Sequence, residues 1–501
     1  MFLGLKQSDV SSYGTGCEIL TTSQMISADK QTIESGTDGY DLMTAAGQSV
    51  ANIVHEYYPE HAVLVLCGPG NNGGDGYIAA RFLEDIGHDV YVMSLSSGWK
   101  LKGDAKKAYK DWEGAVYSFK DNPDVPENTV IIDAVFGTGL SKPLKSPVIE
   151  VFEEVRKSEL PVVAVDIPSG VNGDTGLTDP NALQATHTVT FFRKKRGHVF
   201  MPGLSLCGDV SVHDIGIAPE CLAQAGELLH DNAPALWLEQ LPKPGRGAHK
   251  YSRGHLVVLG GARMTGAARM SSEAAMRSGT GLCTIVSEQS AAEIYKRGAA
   301  HVMHESLNSY NEFAAHIKDR RRNAILMGPG AGLDDRKALQ SAVLEVLKTG
   351  KATVLDADAL SCFEDDADKL IKALHDKCVI TPHEGEFNKL FPDLDSHKLE
   401  RAQKAAQLSG AIILLKGPDT VIAAKNKITV INTHATPWLA TAGSGDVLAG
   451  LIAGLMAQDM EPHLAACAAC WIHGEAAQRH GPGLVAPDII ENIPSVLRDF
   501  S

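Results

Sequence analysis

The sequence predicts an α/β chain of two domains, each a mostly parallel sheet with helices on both faces. Three observations predict it. Strand-like apolar runs alternate with helix-period stretches along both halves, as parallel sheets built from strand–helix–strand units require. The Pro-, Gly- and Lys/Arg-rich segment "LPKPGRGAHKYSRG", 241–254, interrupts the alternation near mid-chain and reads as a boundary. The 501 residues also exceed what one core usually serves.

The bulk numbers exclude several classes. With 44% hydrophobic and 21% charged residues the chain is of ordinary globular type. A net charge of −15 argues against nucleic-acid and anionic-membrane partners. No apolar run reaches the ~18 residues that span a bilayer, and "MFLGL" is too short and uncharged for a signal core. Nine scattered cysteines fit a reducing compartment, so the expected location is the cytoplasm. Cys467 and Cys470 form a C-x-x-C in "AACAACWIHGEAA", which reads as a buried helix face, there being no second Cys/His pair at zinc spacing.

In the first half the strand-like runs are "AVLVLCG", "DVYVMSL", "TVIIDAVFG", "PVVAVDIPSG", "ATHTVTFF" and "GDVSVHDIGI". The first leads into Gly68, Gly70 and Gly73, a literal G-x-G-x-x-G, with a helical pattern from near Tyr77. That context suits a dinucleotide cradle. The next run, however, ends in Ser94 and Leu95, where such a fold would carry an acid for the ribose. Asn71, Asn72 and Asp75 add side chains a plain cradle does not need. They suit a cation or polar parts of a ligand; a capped turn is the alternative. Two further carboxylates, Asp133 and Asp166, end hydrophobic runs beside glycine turns and Ser169. An Asp placed so in a half-closed pocket can have a raised pKa and act as acid/base; turn capping is the other reading.

"GPGNNGGDGYIAARFL", "DAVFGTGL" and "DIPSGVNGDTG" resemble the epimerase domain of the bifunctional NAD(P)H-hydrate repair enzymes, over most of residues 20–220. The resemblance implies a Rossmann-like three-layer domain. It implies that Asn71, Asn72, Gly73, Gly74 and Asp75, together with Gly137, Thr138, Gly139, Leu140, Ser141, Lys142 and Pro143, contact the hydrated nucleotide. It implies K⁺ held by Asn72, Asp133 and Ser169, with Asp166 contacting substrate and chosen as the acid/base group.

The second half carries "GHLVVLGG", "LCTIVS", "NAILMGPG", "ATVLDADAL", "KCVITPHEGE", "AIILLKG" and "TVIAAKNKITVI". It ends in "TAGSGDVLAG", where Gly443, Ser444 and Gly445 open a helix whose free N–H groups can bind developing negative charge. Asp446 sits at that start, placed to accept a proton, or is an ordinary helix-start acid. The turn resembles the anion hole of ribokinase-like enzymes. With "GGARMTGAARMSSEAAMRSGTGL", "MGPGAG", "LDADAL", "TPHEGEF" and "LLKGPDTVI" it resembles the dehydratase domain of the same repair enzymes, from about 245 to 495. The resemblance implies a ribokinase-like three-layer domain. In it Ala267, Gly330, His383 and Asp446 contact the hydrate, and Lys416, Gly417, Pro418, Asp419, Thr420 and Gly445 bind ADP. His383 has a second reading as a capping or packing histidine. Arg263 and Arg269 are expected near the phosphates, or on a solvent face.

The expected organisation is an extension at 1–20, an epimerase domain at 21–220, a linker at 221–245 and a dehydratase domain at 246–501. The implied activity interconverts the R and S hydrates of NADH and NADPH. It then dehydrates the S form with ADP and Mg²⁺, releasing AMP and phosphate. The partners are NADHX, NADPHX and ADP, without nucleic acid or membrane; a homo-oligomer stays open. A ribokinase-class kinase fused to a ligand-binding domain is the alternative, and a first domain serving only as an interaction module is a third.

Overall fold

The computed structural model describes residues 16–501 except 122, 141 and 224. The chain divides into two compact units, Glu18–Leu229 and a second that includes His230–Ser501.

In the first unit seven strands run parallel: β1 (Ala62–Cys67), β2 (Val90–Ser94), β3 (Val116–Ser118), β4 (Thr129–Ala134), β5 (Val162–Val165), β6 (His187–Phe191) and β7 (Asp209–His213), in the order β3-β2-β1-β4-β5-β6-β7. The six runs read from the sequence are all strands; β3, only three residues long and at the sheet edge, lacked a legible pattern. Alternation along β1 sorts its side chains between faces. Val63 and Val65 pack with Val50 and Val54 of helix α2 (Gly39–Tyr57) and with Tyr77 of α3 (Asn71–Asp85). Leu64 and Leu66 pack with Phe152 and Val155 of α5 (Val148–Ser158) on the other face. Two further helices, α1 (Thr22–Glu34) and α4 (Gly103–Asp111), precede β1 and follow β2.

The second unit repeats the scheme with nine strands. These are β8 (His255–Gly260), β9 (Leu282–Glu288), β10 (Met303–Leu307), β11 (Ala324–Met327), β12 (Ala352–Leu355), β13 (Cys378–Ile380), β14 (Ile412–Leu415), β15 (Thr420–Ala423) and β16 (Thr429–Asn432). Their order is β10-β9-β8-β11-β12-β13-β14-β15-β16, parallel as far as β14 and then antiparallel. Helix α6 (Thr265–Arg277) follows β8. Helix α7 (Ser444–Ala457) is buried from Val447 to its end, so it reads as hydrophobic all round. The C-x-x-C cysteines are free thiols buried on α8 (Pro462–His480). Within 221–245, Trp237 is buried against Trp471 and Phe500, so part of that stretch is core of the second unit.

Each sheet reverses its winding once, between β1 and β4 and between β8 and β11. Ligands of open α/β sheets bind beyond strand ends at such a switch. At both switches two backbones touch. A Cβ on Gly68 would lie 1.7 Å from the Val135 carbonyl oxygen, and one on Gly261 would lie 1.6 Å from that of Gly330.

Candidate active sites at the two switch points

At the first switch the loops after β1, β4 and β5 enclose a cavity of about 620 Å³. Helix α3 begins at Asn71, not near Tyr77, because the glycines that read as a turn already have helical geometry. Asn71, Asn72, Asp75, Gly137, Thr138, Gly139, Leu140, Lys142 and Asp166 all border the cavity. Gly73 and Gly74 lie beneath it, where a Cβ would meet the Gly68 carbonyl at 2.1 Å or Met43 at 2.6 Å. Pro143 is exposed outside the lining, and Ser141 lies outside the described residues.

Asp166 is the hub. Its Oδ1 accepts from Lys195 Nζ at 2.7 Å and from Thr190 Oγ1 at 3.1 Å, and its Oδ2 from the Thr138 N–H at 3.1 Å. Its backbone has φ 64, a left-handed value that costs an Asp energy. The Lys195 N–H donates to His198 Nδ1, so Nε2 carries the ring proton and donates to the Asp166 carbonyl at 2.7 Å. Burial, then the Lys195 ammonium, lower the His198 pKa to about 4, so the ring is neutral.

This corrects the expectation of a raised Asp166 pKa. Burial pushes the carboxyl up, but the Lys195 ammonium, with the Thr138 N–H, outweighs it and holds it well below the usual range. The raised carboxyls that border the cavity are two others. Asp75 is pushed well up by burial and by the charges of Asp166 and Asp29. Asp29, on α1, is raised to about 6, burial outweighing the pull of Lys195.

At the second switch, Gly330 adopts φ +64 and a Cβ there would lie 2.4 Å from the Met264 carbonyl and 3.0 Å from Ala267 Cβ, so Ala267 and Gly330 are neighbours. After β12 the run "DAD" bends at Ala357, with φ 46 and ψ −118. Asp356 then accepts from Lys416 Nζ at 2.8 Å, and Asp358 Oδ2 from the Gly332 N–H at 2.8 Å. Gly443, left-handed at φ 89, starts α7 with no side-chain cap. Asp446 stands in its first turn. Burial and the Asp356 charge raise its pKa to about 6, against the pull of Lys416. Ser271 Oγ of α6 holds the Asp446 carbonyl at 2.8 Å, and buried His473 of α8 lies 2.9 Å from that of Ser444.

His383 caps the short helix Glu384–Leu390, its Nδ1 accepting the Gly385 N–H at 2.9 Å while the ring stays largely exposed. The capping reading therefore holds, and Nε2 lies 3.6 Å from Glu386 Oε1. In the loop after β14, Thr420 Oγ1 closes a turn on Gly417, and Pro418 is exposed. Asp419 is committed to Lys398 Nζ at 2.6 Å. Arg263 pairs on the surface with Asp334, and Arg269 borders a separate hollow beside Tyr295.

The family description "YjeF-related protein N-terminus" matches residues 39–197, and "NAD(P)H-hydrate dehydratase" matches 255–495. The bifunctional NAD(P)H-hydrate repair enzyme Nnr of Moorella thermoacetica is 33% identical over 92% of this chain and 92% of its own. The chain belongs to the bifunctional NAD(P)H-hydrate repair enzyme family. The Nnr protein of Escherichia coli is 33% identical over 91% of this chain and 89% of its own. A Bacillus subtilis ADP/ATP-dependent NAD(P)H-hydrate dehydratase, co-crystallised with ATP and Mg²⁺, is 28% identical over 53% of this chain and 96% of its own, with TM-score 0.46.

In this repair-enzyme family member, sequence reasoning missed Lys195, Asp29, Asp356, Asp358 and Lys398. "LDADAL" held a usable signal, two acids at a strand end. Lys195 hid within the basic run "RKKR", whose charges read as surface, yet its side chain is 1% exposed.

The proposed potassium ligands suit that ion. Asp133 is fully buried; Ser169 supplies N–H and Oγ donors at 2.8 and 2.6 Å, and the Val135 N–H a third at 3.3 Å. None of these partners is cationic, and burial raises its pKa. Asn72 Nδ2 is buried without a partner. A carboxylate, an amide and a hydroxyl form an oxygen donor set that hard cations prefer.

Proposed function

We propose that the chain repairs hydrated NADH and NADPH, epimerising the C6 hydroxyl in the first unit and dehydrating the S form with ADP in the second. Support comes from Asp446, a proton acceptor tuned near neutrality in the first turn of an uncapped helix.

In the first unit the hydrated nicotinamide enters the cavity. Asp166, kept charged by Lys195, contacts it, and Lys142 offers charge for phosphates. K⁺ at Asn72, Asp133 and Ser169 would offset the buried Asp133 charge and brace the loop after β4.

In the second unit the hydroxide at C6 is a poor leaving group and phosphate a good one. Asp446 takes the hydroxyl proton as that oxygen attacks the terminal phosphoryl of ADP. The N–H groups at Gly443 to Asp446 meet the charge growing on the phosphoryl oxygens. The C6–O bond then breaks with loss of a C5 proton, giving NAD(P)H, phosphate and AMP. Lys416, with Gly417, Pro418, Thr420 and Gly445, lies on the donor side; Asp419 acts through Lys398 to shape that loop. Mg²⁺ would arrive with the nucleotide, held chiefly by its phosphates.

The test is purified protein with ADP, Mg²⁺, K⁺ and racemic hydrate, followed at 340 nm. Recovery of NADH beyond the S fraction supports both steps. Accumulation of a phosphorylated product would instead indicate a kinase.

A further inference from the structure

Three carboxyls bordering the first cavity, Asp29, Asp75 and Asp104, have no part in the chemistry above. Asp29 projects from α1 and takes no hydrogen bond or ion pair among the described residues. Asp75, on α3, is 9% exposed, borders the same cavity and is likewise unpartnered. Asp166 is different, being bound to Lys195, Thr190 and the Thr138 N–H. The cavity lining therefore holds one ion-paired carboxylate, Asp166, beside carboxyls without such partners, Asp29 and Asp75 among them. Environments that push neighbouring carboxyls apart in this way mark an acid and a base.

Resting on the epimerase reading, we propose that Asp29 carries the proton that inverts C6. The C6 carbon bears both a hydroxyl and the ring nitrogen N1. Protonated Asp29 gives its proton to the hydroxyl as the C6–O bond breaks. The bonding pair leaves with oxygen as water, and the N1 lone pair becomes the C6–N1 π bond. Water adds to the opposite face of the now planar C6 and the π pair returns to N1. The Asp166 carboxylate, held ionised by Lys195, accepts a hydrogen bond from that water, and the proton the water loses passes through solvent to the ionised Asp29. Asp29 is thereby returned to its protonated form, and the reverse direction follows the same path. No oxidant or reductant is needed.

The choice of Asp29 over Asp75 follows from tuning. A proton carrier works best with a pKa near the working pH, and Asp29 is raised to about 6. Asp75 is pushed well above the carboxylate range by burial and the neighbouring carboxyls and is buried, whereas Asp29 is half-buried and open to proton exchange with solvent. The other charged groups facing this space are Asp75 of α3, Asp104 of α4, Lys142, Asp166 and Lys195.

The experiment compares wild type, Asp29→Asn and Asp29→Glu in conversion of pure R hydrate to S, from pH 5 to 8. The thermal melt and dehydration of pure S serve as checks. Asp29→Asn should lose about 10²–10⁴-fold in epimerisation and lose the inflection near pH 6, with the melt and S dehydration unchanged. Asp29→Glu should restore part of the rate with a shifted inflection. An Asn variant that epimerises within about threefold of wild type and keeps the inflection overturns the assignment. If the Asn variant melts early, the Glu variant decides: a wild-type pH profile there also overturns it. A wild-type protein that fails to epimerise defeats the epimerase reading itself, a result distinct from either.

Discussion

Asp446 and Asp166 are both acids beside glycine turns, yet their surroundings move them in opposite directions. Asp446 faces Asp356 and Asp358 with one lysine in reach, and rises to about 6. As a general base it must be ionised, so dehydration should fall about tenfold per pH unit below 6 and level off above it, read as kcat/KM for pure S hydrate. Asp446→Asn should retain ADP affinity by calorimetry and lose dehydration at least about a hundredfold. A variant above roughly a tenth of the wild-type rate would move the base elsewhere, with His383 Nε2 the next group to test. Which residue types crowd a strand end is legible in a sequence. The sign of a carboxyl's shift is not, because it depends on Lys195, 29 positions from Asp166 along the chain, folding back to 2.7 Å.

At the scale of elements, the glycines of the first loop differ in what they do. Gly68 sits against the Val135 backbone, whereas Gly70 has open space around its missing Cβ and an ordinary φ of −106. Gly68→Ala should therefore cost about 1–3 kcal/mol or more, seen as an earlier melt, while Gly70→Ala should stay within about 0.5 kcal/mol of wild type. Equal melts would mean the loop yields at no cost. The ion bears on the same segment. Replacing K⁺ by a bulky organic cation should slow epimerisation, lower the melt of the first unit and leave S dehydration unchanged. Unaltered epimerisation and melt in potassium-free buffer would remove the ion from the site. The strands of both sheets were legible because their apolar runs are bounded by glycine and polar turns. Of the strands numbered above, two escaped: β3 has three residues, and β10, "MHESL", has mostly polar residues and one buried position. The start of α3 was misplaced because glycine and asparagine favour turns, whereas here Gly70 caps and Asn71 already continues the helix.

For the whole molecule, two sites on one chain make a kinetic prediction. Given racemic hydrate and ADP, Asp166→Asn should recover the S fraction at the normal rate and then stall near the uncatalysed rate of epimerisation. Asp446→Asn should do the reverse, equilibrating R with S and returning no NADH. Full-speed conversion of R by the Asp166 variant would sink the division of labour. The two-domain organisation was legible as an interruption in the alternation. That Trp237 belongs to the second core was not, since one tryptophan among prolines carries no period.

Nothing about alanine calls for the backbone shape of Ala357. At φ 46 and ψ −118 it is held where glycine would rest at ease. The bend aims one neighbour at Lys416 and the other at the Gly332 N–H. The methyl group thus acts as a spring under load, and the acids on either side keep it compressed. Ala357→Gly should relax the spring, raising the melting temperature of the second unit by a few degrees, corresponding to about 1 kcal/mol. It should also let both acids wander and lower the dehydration rate. A search for heat resistance in this protein would select that glycine and discard activity in doing so. A variant both more stable and fully active would show that the spring stores nothing the chemistry uses.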